Sequence, residues 1–294
     1  MITTMTYSSW IPFGSSVRGA SHIRAGKENQ DAFLDSLGNE KIPSVIAVSD
    51  GHGGNKYIRS AKGAELACLC AVKILGEGGK LSPDMREEDQ EGLIRHIKSR
   101  YLLEWQKEVD AHAKANPFTE SEKGFLAERC GEAVLNAVLD SPKTAYGCTF
   151  LCAAGYGGSL VLILQLGDGD VLGLYEDGEV RELMDYDPRN FANGTLSLCS
   201  LGDASDIAHN LLSGTDVPVL ITLSTDGVKN SYDDRNPGDI ERFYQIPTVI
   251  SNELRKNDYD TAAVRKGLEG MLERVTSNGA GDDVTIGVLF NGGL

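Results

Sequence analysis

Asp50-Gly51-His52-Gly53-Gly54 sets a carboxylate, an imidazole and three glycines directly after the apolar run Ser44-Val45-Ile46-Ala47-Val48-Ser49. Glycines let a backbone turn tightly and turn its carbonyls outward. In that setting Asp50 suits a bridging metal ligand, the carbonyl of Gly51 a second ligand, and His52 a proton donor. Taken alone, the segment also suits a polar turn between a strand and a helix, because Asp-Gly is a frequent turn dipeptide. Three more acidic turns share its position at the end of an apolar run. Leu160–Leu166 leads into Gly167-Asp168-Gly169-Asp170, Val219–Ser224 leads into Thr225-Asp226-Gly227, and Gly281-Asp282-Asp283 opens Val284–Phe290. Carboxylates converging on one sheet edge repel each other unless a cation sits among them. Hard oxygen donors of this kind suit magnesium or manganese. The pattern therefore implies a metal-dependent hydrolase. Asn29-Gln30-Asp31 lies in a polar stretch after Gly26 and alone reads as a solvated loop.

The elements that must carry these turns follow from periodicity. Residues 1–50 read as strands and turns punctuated by Gly14, Gly19, Gly26 and Gly38. Helical spacing predicts helices over Tyr57–Leu75, Glu87–Lys114, Ser121–Leu139, Pro247–Arg255 and Thr261–Thr276. Strands are expected over Thr144–Ala154, Ser159–Leu166, Val171–Tyr175, Glu179–Leu183, Val217–Ser224 and Val284–Phe290, with Glu176-Asp177-Gly178 as a hairpin turn. Asp185–Thr215 shows little periodicity and reads as a long surface excursion, a kind of loop that often serves function. Hairpins imply antiparallel pairing rather than a βαβ alternation. The expected class is α+β, one sheet-centred domain over 1–294 with helices packed outside.

The composition narrows the partners. The 294 residues are 41% hydrophobic, enough for a sizeable core, and carry a net charge of −15. That charge argues against nucleic acid, which needs a basic face, and against an anionic membrane surface. The cysteines at 68, 70, 130, 148, 152 and 199 form no CxxC pair and mostly sit in apolar patterns, so they read as buried reduced thiols. The first residues lack a basic n-region and a long apolar stretch, so no signal peptide or membrane span is expected and the cytoplasm is the expected compartment.

Taken together, the motifs resemble those of the type 2C serine/threonine protein phosphatases, a metal-dependent class. The resemblance runs from about Gly19 to Phe290. It rests on Gln30-Asp31-Ala32-Phe33, Val48 to Gly54, Tyr146-Gly147-Cys148-Thr149, Gln165 to Asp170, Ser224 to Gly227 and Gly281 to Thr285, in the family's order. It implies a central sandwich of two antiparallel β-sheets flanked by helices on both outer faces, with a metal pair in a cleft at one end. It further implies two Mn2+ or Mg2+ ions that share Asp50, with the Gly51 carbonyl on the second and Asp226 and Asp282 completing the first. Asp31 matches an acidic residue that acts through water beside the metals, His52 the proposed general acid, and Asp168 a ligand of a weaker third ion. The expected reaction is in-line attack of an activated water on phosphoserine or phosphothreonine in a protein, with no covalent intermediate. The expected partners are phosphorylated proteins, with a cognate Ser/Thr kinase or its targets, and Asp185–Thr215 becomes a flap beside the cleft.

Three positions depart from the family pattern. Gln30 stands where a glutamate is common. Gly26 stands where the phosphate-binding arginine is usual, five residues before Asp31, which leaves Arg24 or Lys27, and further His22, to meet the phosphate. Asn230 stands where the third site often has an aspartate. Two other readings compete. Asp168-Gly169-Asp170-Val171-Leu172 resembles the nucleophile motif of haloacid dehalogenase-like phosphatases, with Ser224 or Thr225, Lys229 and Asp282-Asp283 following in order; that fold needs a helix after Asp170 and leaves Asp50 and His52 without a role. The other is a phosphoprotein-binding module that has lost catalysis, against which stand the intact aspartates at 31, 50, 226 and 282.

Overall fold

The computed structural model describes residues 9–77, 81–190 and 194–292. Ten strands form two five-stranded antiparallel sheets among these residues. The first holds β1 (Trp10–Val17), β6 (Asp170–Leu174), β7 (Val180–Glu182), β9 (Leu220–Ser224) and β10 (Val284–Asn291), in the order β1-β10-β9-β6-β7. The second holds β2 (Ala32–Ser36), β3 (Ser44–Ser49), β4 (Phe150–Tyr156), β5 (Leu160–Leu166) and β8 (Ala208–Ser213), in chain order.

Alternation along the strands builds three apolar layers. In β3, whose six residues are all buried, Ile46 and Val48 face the other sheet, where they meet Leu223 and Leu289. Val45 and Ala47 face outward onto helices, because successive side chains of a strand point to opposite faces. The helices on that side are α2 (Ser60–Glu77), α3 (Glu87–Ala115), α4 (Glu120–Cys130) and α5 (Glu132–Asp140). Their buried residues include Ala64, Ile74, Ile97, Tyr101 and Trp105. On the opposite outer face, α8 (Ile246–Lys256) and α9 (Thr261–Asn278) cover Phe13, Ile286 and Val288 with Ile250, Leu254, Val264 and Leu268. The α+β sandwich with helices on both faces is therefore as expected.

Several details differ from the sequence reading, among them the start of the strand expected over Thr144–Ala154, where Pro142–Tyr146 is a 3-10 helix and β4 begins at Phe150. Ser121–Leu139 is two helices, because Gly131 between α4 and α5 sits at φ 88, a left-handed conformation that an α-helix cannot continue through. The stretch expected to be strands and turns contains the short helix α1 (Ala20–Ala25), too brief to show a period. A further helix, α7 (Pro237–Tyr244), follows a turn, α6 (Asp226–Lys229). Finally, the excursion expected over Asp185–Thr215 is only partly irregular. Its residues 208–213 are β8, an edge strand paired with β5, and Leu198 and Ile207 are buried in the helix-side core. Residues 191–193 of that stretch lie outside the described residues.

Candidate metal centre

Antiparallel order brings the acidic turns to one end of the sandwich. β3 and β5 end there, β2, β6 and β10 begin there, and β9 ends there. The registers make this concrete: Ala32 pairs with Ser49, which sets Asp31 beside Asp50. Ser224 pairs with both Asp170 and Ile286, which sets the Asp168, Asp226 and Asp282 turns side by side. A cleft of about 370 Å³ opens at this end. Asp50, Gly51, His52, Asp226 and Asp282 line it, together with His22, Gln30, Tyr57, Thr195 and Asp283.

The turn after β3 is clamped by the segment before β4. Thr149 N–H donates to the Asp50 carbonyl (2.8 Å), Thr149 Oγ1 accepts from Asp50 N–H (3.0 Å), and Ser49 Oγ donates to the Thr149 carbonyl (2.6 Å). Gly51 bridges Cys148, and His52 N–H donates to the Gly147 carbonyl (3.0 Å). A Cβ on Gly51 would stand 2.6 Å from the Gln30 carbonyl and 2.8 Å from the Ser60 backbone, so only glycine fits this approach. The His52 ring meets the Tyr57 ring edge-on at 4.8 Å.

Asp31 is fixed by two threonines that motif reading passed over. Thr225 Oγ1 and Thr285 Oγ1 both donate to its Oδ2, at 2.8 and 2.7 Å. Thr195 Oγ1 donates to Asp168 Oδ2 (2.8 Å), and Asn190 Nδ2 donates to the Gly167 carbonyl (2.8 Å), so the irregular 185–207 stretch is tied to the Asp168 turn. Asn230 Nδ2 donates to Asp226 Oδ2 (2.9 Å), occupying an oxygen where the family pattern has another carboxylate. Asp283 is 3% exposed and works as a fastener: Oδ1 accepts from Gly19 N–H, and Oδ2 accepts from Gln30 N–H, both at 2.6 Å. Its spacing next to Asp282 was visible; its burial was not.

The electrostatics are those of crowded acids. Burial raises the Asp31 carboxyl to about 8 against the pull of its two threonine donors, with Asp283 and Asp226 adding repulsion. Burial raises Asp50 well above the usual carboxylate range, and Asp31, Asp226, Asp282 and Asp168 push it further. Asp226 rises to about 6 through burial and repulsion from Asp168 and Asp282, offset in part by a hydrogen bond shared with Asp50. His52 falls to about 4 through burial, with Asp168 pulling it up and Lys56 pushing it down. Groups that resist ionising together fit a divalent cation, whose charge removes the repulsion. The donor set, carboxylates plus the Gly51 carbonyl, is the hard-oxygen kind that magnesium and manganese take.

Arg24 and Lys27 do not line this cleft, and no lysine or arginine does among the described residues. Lys27 lines the adjoining cavity with Tyr57 and Phe125. Gly26 explains the gap. It closes α1 at φ 67, where an arginine would be strained. The haloacid dehalogenase-like reading also loses its support, since β6, not a helix, follows Asp168, and Lys229 Nζ pairs with Asp170 at 2.6 Å.

A sequence profile described as protein phosphatase 2C matches residues 18–273. No curated protein matches the chain by sequence. Among solved structures, the catalytic domain of the serine/threonine protein phosphatase PstP in complex with two manganese ions is 16% identical, with a TM-score of 0.54 over 97% of this chain and 99% of that one. The Mycobacterium tuberculosis serine/threonine phosphatase PstP/Ppp is 14% identical, with a TM-score of 0.51 over 96% and 98%. The S. agalactiae serine/threonine phosphatase is 13% identical, with a TM-score of 0.54 over 96% and 99%.

Proposed function

Because this chain belongs to the protein phosphatase 2C family of protein serine/threonine phosphatases, we propose that it hydrolyses phosphoserine and phosphothreonine in proteins with two divalent cations, manganese or magnesium, held in the cleft at the end of its sandwich. The observation that carries this reading is the convergence of Asp31, Asp50, Asp168, Asp226 and Asp282 from separate strand ends, with burial and mutual repulsion raising Asp31, Asp50 and Asp226. Asp50, the Gly51 carbonyl, Asp226 and Asp282 would hold the two ions, while Asp168 and Asn230 offer too little for a firm third. When bound, such ions offset the charge of the phosphoryl oxygens and make a water acidic enough to serve as nucleophile.

The chain's own groups do the rest. Asp31, aimed by Thr225 and Thr285, accepts a hydrogen bond from that water and orients it in line with phosphorus. His52 protonates the departing serine or threonine oxygen. Burial lowers its ring to about 4, so it takes up its proton from solvent once the substrate is bound, because the dianionic phosphate raises the ring's basicity. Lys27, on the rim cavity beside the cleft, and Arg24, at the end of α1, are cationic side chains available to an incoming phosphoprotein. No helix among the described residues is long and apolar enough to cross a membrane. The setting we propose is cytoplasmic signalling opposite a Ser/Thr kinase.

The test is hydrolysis of a phosphothreonine peptide and of an aryl phosphate with manganese, with magnesium, and after exhaustive chelation. Activity restored by metal supports the reading. Full activity without metal, or peptide binding with no hydrolysis under any metal, overturns it.

A further inference from the structure

His22 sits in α1, outside every motif that carries the family resemblance, yet its ring reaches the cleft. Its side chain is 13% exposed, and Nδ1 lies 2.9 Å from Asp283 Oδ2. That oxygen also takes the Gln30 N–H, so it is an acceptor and Nδ1 is the donor. Nδ1 therefore carries a proton, and Nε2 faces the Asp282 edge of the cleft, 3.6 Å from Asp282 Oδ1. A metal-ligating histidine typically has this arrangement, giving its other N–H to a carboxylate that sets tautomer and ring angle.

The distances allow one ion to be shared. Two metal–ligand bonds of about 2.1 Å span at most roughly 4.2 Å between donor atoms, and 3.6 Å lies inside that reach. The donor atoms of His22, Asp282 and Asp283 all fall within 4.8 Å of one another. Asp283 is buried and already engaged, with Gly19 N–H on Oδ1 and Gln30 N–H and His22 on Oδ2. Its part is to aim the ring.

We propose that His22 Nε2 is a direct nitrogen ligand of the cation held by Asp282, oriented by Asp283; this rests on the two-cation reading above. A nitrogen donor changes which metal the site prefers. Imidazole favours later first-row ions over magnesium, so the site is tuned toward manganese and, further along the series, cobalt.

The experiment is pulsed EPR of the protein loaded with Mn2+, alongside calorimetric titration with Mn2+, Co2+ and Mg2+. The wild type and His52→Ala should show coupling of Mn2+ to an imidazole 14N, and His22→Gln should lose it. His22→Gln should also bind Co2+ and Mn2+ at least roughly tenfold more weakly, a penalty in the range seen when even a ligand's supporting group is lost, with a smaller change for Mg2+. Manganese bound without nitrogen coupling in the wild type would overturn the ligand role and leave the two-cation reading standing. So would equal weakening for all three ions, or loss of inorganic phosphate affinity alone, which would make His22 an anion contact. Failure to bind Mn2+ at all would overturn both readings. If His22→Gln does not fold, the His52→Ala spectrum still decides, since it must retain the coupling.

Discussion

Chelation should make this protein's stability fall as the pH rises from 6.5 to 8. Asp31 is raised from 3.8 to about 8, and Asp226 from 3.8 to about 6, by burial and by neighbouring acids. A carboxyl raised in the folded state stabilises fully below its unfolded value, and that contribution is lost as pH climbs through the folded value. Between 6.5 and 8 the folded chain keeps a proton on Asp31 that the unfolded chain has released. Each such proton lowers stability by about 1.4 kcal/mol per pH unit. The loss from Asp31 alone across the window is therefore about 2 kcal/mol at most, since Asp31 itself begins to ionise near the top, and Asp50, raised in the same direction, adds to the fall. A chain of this size loses about 2 °C of melting temperature per kcal/mol, so Tm should drop by roughly 4 °C. The window leaves out one opposing term and one that acts in the same direction. His52, lowered from 6.5 to about 4, favours folding as pH rises between those values. The buried thiols, raised from 9.0, contribute only above pH 8. Scanning calorimetry in chelator at pH 6.5, 7.2 and 8.0, repeated with saturating Mn2+, reads the effect. With manganese the decline should vanish, and stabilisation by metal should grow with pH because protons compete for the same oxygens. A chelated Tm that is flat or rises across the window would refute the argument that crowded, buried carboxyls define this site.

Other outcomes follow from named contacts. His52→Ala should slow hydrolysis of phosphoserine or phosphothreonine peptides by about 10²–10⁴-fold, and of nitrophenyl phosphate far less, because an alkoxide needs a proton on leaving and a phenolate does not; equal losses on both would reduce His52 to a packing role against Tyr57. Asp50→Asn and Asp226→Asn should abolish turnover, whereas Asp168→Asn, which loses a contact to Thr195 and, on the proposed reading, only a weak ligand, should retain part of it; trapping phosphate on Asp168 would contradict the assignment. Gly63→Ala should destabilise by about 1–3 kcal/mol in denaturant unfolding, since its Cβ would stand 2.0 Å from the Tyr146 carbonyl oxygen. A gain of stability, as helix propensity alone would give, would show that α2 is not pinned there.

The sequence by itself determined the strands that end in aspartates, the antiparallel hairpins and the set of acidic residues with His52. Apolar runs of six or seven residues closed by Asp-Gly or Gly-Asp are local patterns, and local patterns survive reading one residue at a time. It did not determine the break at Gly131, because a left-handed glycine inside a helical period looks like any other glycine until its φ is known. It did not determine that residues 208–213 join a sheet, because an edge strand with one face half exposed has weak alternation. Nor could residue chemistry alone, apart from the family resemblance, separate Asp282 from Asp283. Those neighbours have the same chemistry, and only the fold buries one under Gly19 and Gln30 and leaves the other, 53% exposed, facing the cleft. His22 is the sharpest case. It lies 260 residues from Asp282 in the chain, and its own neighbourhood marks it only as a further candidate to meet the phosphate, not as a partner of Asp282. The registry of β1 against β10, Val17 beside Val284, carries the start of α1 to the acidic turn and sets an imidazole 3.6 Å from a carboxylate. Residue types declare which chemistry is available, but distances between remote segments are set by sheet pairing and packing, and those are properties of the folded chain as a whole.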